Sequence, residues 1–321
     1  MKKIVVTEPI HPDGLALLRA RRDFDIEVLD RCDADSLRAA LADAHGVLVR
    51  SARLTAEIIA AAPRLEVVSR HGVGCDQIDV ACCSQRGIPV AIAAEANAWS
   101  VAEHTLMMML SLAKCAFDYD TAVREGRFGL RGSLPAFELA GRTALVVGYG
   151  RIGRLVAPLL KAFRMRVIVA DIALDAELAR EQGCEGVEDF RGWLDQAEVL
   201  TVHVPLDETT RHLIGASELA RLPKGAIVIN NARGGVVDEL ALAEVLESGH
   251  LSGAGVDVYE QEPPPPEHPL LRAPNALLTP HNAASTREGT RRMAVGAAQN
   301  IIDFHEGRLA RSSIFNAAAL S

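Results

Sequence analysis

Thr143-Ala144-Leu145-Val146-Val147-Gly148-Tyr149-Gly150-Arg151-Ile152-Gly153 reads as a strand, a tight turn and the opening of a helix. The run 143–147 has the near-continuous apolar character of a strand covered on both faces. Gly148 permits the sharp turn at its end. Gly150 leaves the backbone open to a pyrophosphate, and Gly153 lets the helix pack close to the sheet. A helix over 151–163 then aims its unpaired N–H groups, with Arg151 and Ile152 at its start, at the phosphates. A second apolar run, 166–170, ends at Asp171, about 20 residues beyond the turn, where the fingerprint places an acidic residue. A carboxylate there accepts hydrogen bonds from the adenosine ribose. It also repels the extra phosphate of NADP, and Ile172 and Ala173 offer no arginine to hold one. NAD is the expected cofactor. A glycine-rich βαβ turn without a ligand is the competing reading, and it leaves the acidic residue unexplained.

Working outward from this turn, strands are expected over 4–7, 26–29, 46–49, 65–69 and 89–92, and then over 143–147, 166–170, 199–202, 226–230, 253–256 and 276–278. Helical patterns separate them at 14–21, 36–44, 55–61, 78–86, 151–163, 240–248 and 287–304. Alternation of this kind predicts α/β architecture with two doubly wound parallel-sheet domains, a flavodoxin-like one and a Rossmann NAD-binding one. The boundary is expected near Trp99, followed by a long apolar helix over 101–117. The stretch 118–141 lacks a clear period and reads as an excursion, either an arm for a second subunit or an irregular surface loop.

Composition narrows the function. The 321 residues are 49% hydrophobic and 24% charged, with a formal net charge of −8. An acidic chain gains nothing from phosphate counterion release, so nucleic acid is not an expected partner. The six cysteines include no CxxC pair; they read as free thiols of a reducing compartment, and no metal is expected. The apolar stretch after Met1 is too short for a signal-peptide core, and the longest apolar run, 105–113, is too short for a membrane span. A cytoplasmic protein is expected.

A dinucleotide fold does not name the reaction. Three polar residues follow later strands, where open parallel sheets bind ligands. Arg233, in Asn230-Asn231-Ala232-Arg233-Gly234-Gly235, can grip a carboxylate with two parallel hydrogen bonds. Position alone favours a surface arginine in a strand-to-helix turn. Glu262 ends Asp257-Val258-Tyr259-Glu260-Gln261-Glu262, and His281 lies in Thr279-Pro280-His281. A carboxylate partner fixes a histidine's tautomer and favours its protonated form, which suits proton transfer. His71, His104 and His203 compete for that role.

Ser100-Val101-Ala102-Glu103-His104, the Gly148–Gly153 turn, His203-Val204-Pro205-Leu206 with Thr210-Arg211, Ala232-Arg233-Gly234, the segment 257–263 and Thr279-Pro280-His281 occur in one order along nearly the whole chain. In this the chain resembles the D-isomer-specific 2-hydroxyacid dehydrogenase family, whose members act on phosphoglycerate, glycerate or hydroxypyruvate, D-lactate and formate. The resemblance implies hydride transfer between NAD(H) and C2 of a 2-hydroxyacid or 2-ketoacid. It assigns Arg233 to the substrate carboxylate, His281 to the hydroxyl proton and Glu262 to the support of His281. It adds cofactor contacts at Arg151, Ile152, Asp171, Pro205, Thr210, Ala232 and Asp257.

The resemblance further implies a substrate domain of 1–99 plus 287–321 and a cofactor domain of 100–286. The loop 69–76 matches the family's substrate loop, with Arg70, Val73, Gly74 and, further on, Asn97 as substrate contacts. Backbone N–H groups there can form an anion nest. Arg70 lies where phosphoglycerate members hold a phosphate, and reads equally as a partner of a surface carboxylate. Glu95 departs from the usual proline-containing stretch and would disfavour an anionic tail if it faced the substrate. No regulatory domain is expected beyond residue 321, and a homodimer is. The alternative from another class is an NAD(H)-sensing binding protein of the corepressor kind on the same fold.

Overall fold

The short β-branched runs pair into two sheets, and every strand pairing in both is parallel. The computed structural model describes residues 1–133 and 135–320, and the chain divides into two units, Met1–Asn97 with Ser285–Ser321, and Ala98–Ala284.

In the first unit the strands are β1 (Lys2–Val6), β2 (Phe24–Val28), β3 (Gly46–Val49), β4 (Val67–Arg70) and β5 (Val90–Ile92), in the order β2-β1-β3-β4-β5. This is the flavodoxin-like order. Successive side chains on a strand face opposite ways. Ile4 and Val6 therefore join Leu18, Leu48, Ala297 and Ile301 beneath the helices Pro12–Arg19 and Arg287–His305. Val5 joins Leu37, Leu41, Val47, Ile59 and Cys83 under the helices of the other face. The C-terminal helix thus completes the core begun by the first residues of the chain.

The second unit carries β6 (Thr143–Val147), β7 (Arg166–Ala170), β8 (Glu185–Val187), β9 (Val199–Val202), β10 (Ile227–Asn230), β11 (Gly253–Val256) and β12 (Ala276–Leu278). Their order is β12-β11-β10-β9-β6-β7-β8. The chain leaves β6 in one direction and returns at β9 on its other side. That reversal opens a crevice at the carboxyl ends of β6 and β9, where such sheets bind ligands. Met108, Met109, Val156 and Leu160 cover one face of the sheet, and Leu219, Leu242 and Leu246 cover the other.

Four local expectations change. The apolar helix runs over Ala98–Ala113 and stops there, because Cys115 adopts a left-handed backbone (φ 47°). A second helix, Ala116–Arg124, and a 3-10 turn, Phe128–Gly132, occupy much of the supposed excursion. Within that stretch Leu134 lies outside the described residues. The helix after the glycine turn begins at Gly153 rather than Arg151. The edge strand β8 and the helices Ala176–Glu181 and Ala216–Arg221 were absent from the sequence reading.

Candidate active site

The turn after β6 has the geometry a dinucleotide requires. Gly148 sits at φ +98°, and a Cβ there would stand 2.7 Å from the His203 carbonyl carbon. A Cβ on Gly153 would stand 2.1 Å from the Gly148 oxygen, so helix and turn touch. At Gly150 the same atom meets nothing within 4 Å. Backbone contact fills two glycine positions and open space the third, as a pyrophosphate site needs. Asp171 follows β7 and is oriented from both oxygens: Oδ2 accepts the Tyr149 N–H at 2.7 Å and Oδ1 accepts the Ala173 N–H at 2.9 Å. The carboxylate therefore also braces the turn. Arg151 is exposed and Ile152 half-buried beside it. Across the switch point, the Thr210 hydroxyl donates to the Pro205 carbonyl at 2.7 Å and accepts the Asp207 N–H at 2.8 Å, which shapes the loop after β9.

Arg233 projects from the turn after β10. Asn230, which sequence reasoning passed over, locks that turn: its Oδ1 accepts the Ala232 N–H at 3.2 Å and its Nδ2 donates to the Arg233 carbonyl at 3.0 Å. The Arg233 Nη1 donates to the Ala232 carbonyl at 2.7 Å. After β11, Glu262 turns back so that its Oε1 accepts the Tyr259 N–H at 3.1 Å. Its Oε2 lies 2.8 Å from His281 Nδ1. Burial alone would raise the Glu262 carboxyl. Hydrogen bonds from His281 and the Tyr259 N–H, with the charges of His281 and Arg233, hold it below the usual range instead. Glu262 is therefore acted on by both His281 and Arg233, though the three come from three different strand ends.

With Nδ1 turned to Glu262, the Nε2 of His281 is the nitrogen left for a ligand. The competing histidines differ. Burial pushes His203 down to about 3, and its Nδ1 has no hydrogen-bond partner among the described residues. His71 is pushed down to about 4 by burial and by the nearby Arg70 and Arg50. Other histidines also meet carboxylates near the site: His212 Nε2 lies 2.7 Å from Glu260 and His268 Nε2 lies 3.3 Å from Glu239. Both brace the segment that carries Glu262, since Glu239 Oε1 also accepts the Glu260 N–H at 2.6 Å. Asp257 is buried, and its carboxylate accepts the Asn282 and Ala283 N–H groups, each at 2.9 Å. It is engaged with the His281 turn, a role the sequence did not suggest.

In the first unit, Arg70 ends β4 and holds its own loop. Its Nε donates to the Gly74 carbonyl at 2.7 Å and its Nη1 to the His71 carbonyl at 2.6 Å. Val73 and Gly74 are half-buried in that loop, Asn97 is half-buried and Glu95 is exposed. Arg50, which follows β3 and was not singled out, is exposed beside Glu8, whose carboxylate accepts the Arg50 and Ser51 N–H groups.

No described helix is long and apolar enough to cross a membrane. Comparison with known proteins places the chain. The model for the D-isomer specific 2-hydroxyacid dehydrogenase NAD binding domain matches residues 106–283. A D-3-phosphoglycerate dehydrogenase of Archaeoglobus fulgidus is 38% identical over 97% of this chain, which spans only 59% of that relative's length. A glyoxylate reductase of Aeropyrum pernix is 37% identical, with 96% of this chain and 94% of the relative covered. The crystal structure of D-lactate dehydrogenase from Aquifex aeolicus, complexed with NAD and lactic acid, superposes with TM-score 0.88 at 28% identity, covering 97% of this chain and 98% of that one. The chain belongs to the D-isomer-specific 2-hydroxyacid dehydrogenase family, and its second unit is the NAD-binding domain.

Proposed function

We propose that this protein is an NAD-dependent oxidoreductase that interconverts a D-2-hydroxyacid and the corresponding 2-ketoacid. The observation that carries the reading is the convergence of Arg233, Glu262 and His281, with His281 Nδ1 2.8 Å from the Glu262 carboxylate. Bound NADH supplies the hydride from nicotinamide C4 to substrate C2. Gly148, Gly150, Gly153 and Asp171 bind the cofactor, with Arg151, Ile152, Pro205, Thr210 and Ala232 along it and Asp257 near the nicotinamide carboxamide. Arg233 grips the substrate carboxylate with its planar fork and polarises the C2 oxygen. His281 Nε2 gives a proton to that oxygen during reduction and takes it back during oxidation, while Glu262 stabilises the imidazolium.

Arg70, Val73, Gly74 and Asn97 are assigned to substrate binding on the resemblance. Small single-anion ketoacids are favoured, because two Arg70 nitrogens are engaged by loop carbonyls and Glu95 is an exposed negative charge. Exposed Phe117, Val123 and Phe128 on the segment 116–132 support a homodimer, measurable as mass in solution by light scattering. The cysteines are all free thiols, which supports a cytoplasmic location. Oxidation of NADH with glyoxylate, hydroxypyruvate, pyruvate, phenylpyruvate, oxaloacetate and phosphohydroxypyruvate tests the reading. Turnover with one or more supports it. NADH binding with no turnover on any favours an NAD(H) sensor.

A further inference from the structure

His281 has a positive φ of 51°, a left-handed backbone that is uncommon outside glycine. Such a conformation persists only where its surroundings over-determine it. The next two residues supply part of the restraint, since the Asn282 and Ala283 N–H groups converge on the two oxygens of Asp257 at 2.9 Å each. Asp257 is 1% exposed, and its own N–H is tied to the Asn230 carbonyl at 3.0 Å. A buried carboxylate needs further donors. The third is the Thr279 hydroxyl, which lies 2.5 Å from Asp257 Oδ1. With that proton directed to Asp257, the Thr279 oxygen accepts, and the donor is His104 Nε2–H at 3.1 Å. Burial pushes His104 toward its neutral form against the opposing pull of Asp257, consistent with a ring that donates one N–H. His104 sits in the rigid helix Ala98–Ala113.

We infer that His104 and Thr279 are positioning residues for His281, acting through Asp257 on the turn that presents its imidazole. The chain of hydrogen bonds runs from the helix to Thr279, from Thr279 to Asp257, and from Asp257 to the backbone just after His281. His104 fixes the Thr279 hydroxyl rotor, Thr279 fixes the plane of the carboxylate, and the carboxylate fixes the turn. The Glu262 contact orients the ring from one side, and this chain orients the backbone from the other. The inference rests on the proposed role of His281 as proton donor.

Thr279→Val removes the hydroxyl at constant shape. The Thr279 backbone stays held by the Val256 carbonyl at 3.0 Å and the Tyr259 hydroxyl at 3.1 Å, so the fold is retained. We expect kcat with glyoxylate to fall at least about tenfold while the KM for NADH stays within about twofold. Thr279→Ser should recover most of the loss. His104→Phe should act in the same direction and His104→Gln, which keeps a donor, should recover. Because the two residues act in series, the Thr279→Val/His104→Phe pair should cost little more than Thr279→Val alone. A readout independent of turnover is the pair of ring-nitrogen signals of His281 in protein carrying isotope-labelled histidine, assigned by their loss in His281→Ala. Thr279→Val should broaden or shift them, and Thr279→Ser should restore them. Unchanged kcat and unchanged signals in Thr279→Val overturn the inference. A raised KM for NADH with kcat intact also overturns it, since His104 and Thr279 would then support the cofactor contact of Asp257 and not the His281 turn. If His281→Ala keeps normal turnover, the proposed reaction role fails instead, and the signals alone decide the positioning.

Discussion

The turn that carries Arg233 lies against the segment that carries Glu262, with almost no room between them. A Cβ added at Gly234 would stand 1.9 Å from the Tyr259 carbonyl carbon, 2.0 Å from its oxygen and 2.4 Å from the Glu260 nitrogen. All three are backbone atoms, so no side chain can swing aside. Relief to about 3.0 Å, below which real contacts of this kind essentially never occur, needs the two segments to part by about 1.1 Å. A misplacement of about 1 Å in a reacting constellation costs about 10²-fold in rate, or about 2.7 kcal/mol of transition-state stabilisation. Gly234→Ala should therefore lower kcat with glyoxylate about a hundredfold, read as loss of NADH absorbance. Overpacking should also destabilise the second unit by about 1–3 kcal/mol and lower its melting midpoint by several degrees. Gly150→Ala is the contrasting variant, since a Cβ there meets nothing within 4 Å. It should leave the melting midpoint unchanged and raise the KM for NADH about tenfold or more by obstructing the pyrophosphate. Gly234→Ala with kcat within twofold of the unmodified enzyme would refute the idea that this contact sets the spacing of Arg233 and Glu262.

Arg70→Ala should raise the KM of single-anion ketoacids as well as phosphorylated ones, because Arg70 holds the carbonyls of Gly74 and His71; an effect confined to phosphohydroxypyruvate would assign it to a second anion instead. Asp171→Ala should raise the KM for NADH and narrow the preference over NADPH, because it removes both the ribose acceptor and the brace on the Tyr149 N–H; an unchanged ratio of the two cofactors would contradict this. Burial raises the Glu239 carboxyl from 4.5 to about 7, so the folded state binds its proton more tightly than the unfolded chain does. The stability it contributes is full below pH about 4.5 and is lost as pH rises through about 7, a change of up to about 3 kcal/mol. Glu239→Gln should flatten the dependence of the melting midpoint on pH in that window, and an equally steep profile in the variant would mean that another group is responsible.

The sheet strands were legible wherever burial on both faces left an unbroken apolar run, as in Leu145-Val146-Val147 and Val167-Ile168-Val169. The edge strand Glu185–Val187 has only one paired side and a mostly exposed surface, so its three residues carry no such signal. The break at Cys115 was invisible because left-handed residues are usually signalled by glycine or asparagine. The polar helix Ala116–Arg124, with Asp118, Asp120 and Arg124, hides behind the apolar pattern that precedes it. At the site, the glycine turn could be read because Gly148 and Gly153 answer a local steric demand and Gly150 leaves open space beside the backbone. Arg233, Glu262 and His281 stood out by their place after strands, but the His281–Glu262 contact and the effect of the Arg233 charge on Glu262 come from the parallel order of β10, β11 and β12. The same holds for Asp257, Thr279 and His104, whose hydrogen bonds join residues far apart in sequence. The double duty of Arg70 was equally hidden, since sequence shows a charge but not the carbonyls around it.

On the proposed reading, Arg233, Glu262 and His281 turn an NAD site into a 2-hydroxyacid dehydrogenase. The most direct test is NADH oxidation with the ketoacid panel by the unmodified enzyme and by His281→Ala, with the configuration of the hydroxyacid formed from pyruvate, phenylpyruvate or hydroxypyruvate determined wherever one is turned over. Turnover on at least one ketoacid, a D product, and a loss of at least about 10²-fold in His281→Ala with NADH binding intact are expected. Normal turnover in His281→Ala, or NADH binding without reduction of any ketoacid, would contradict that reading.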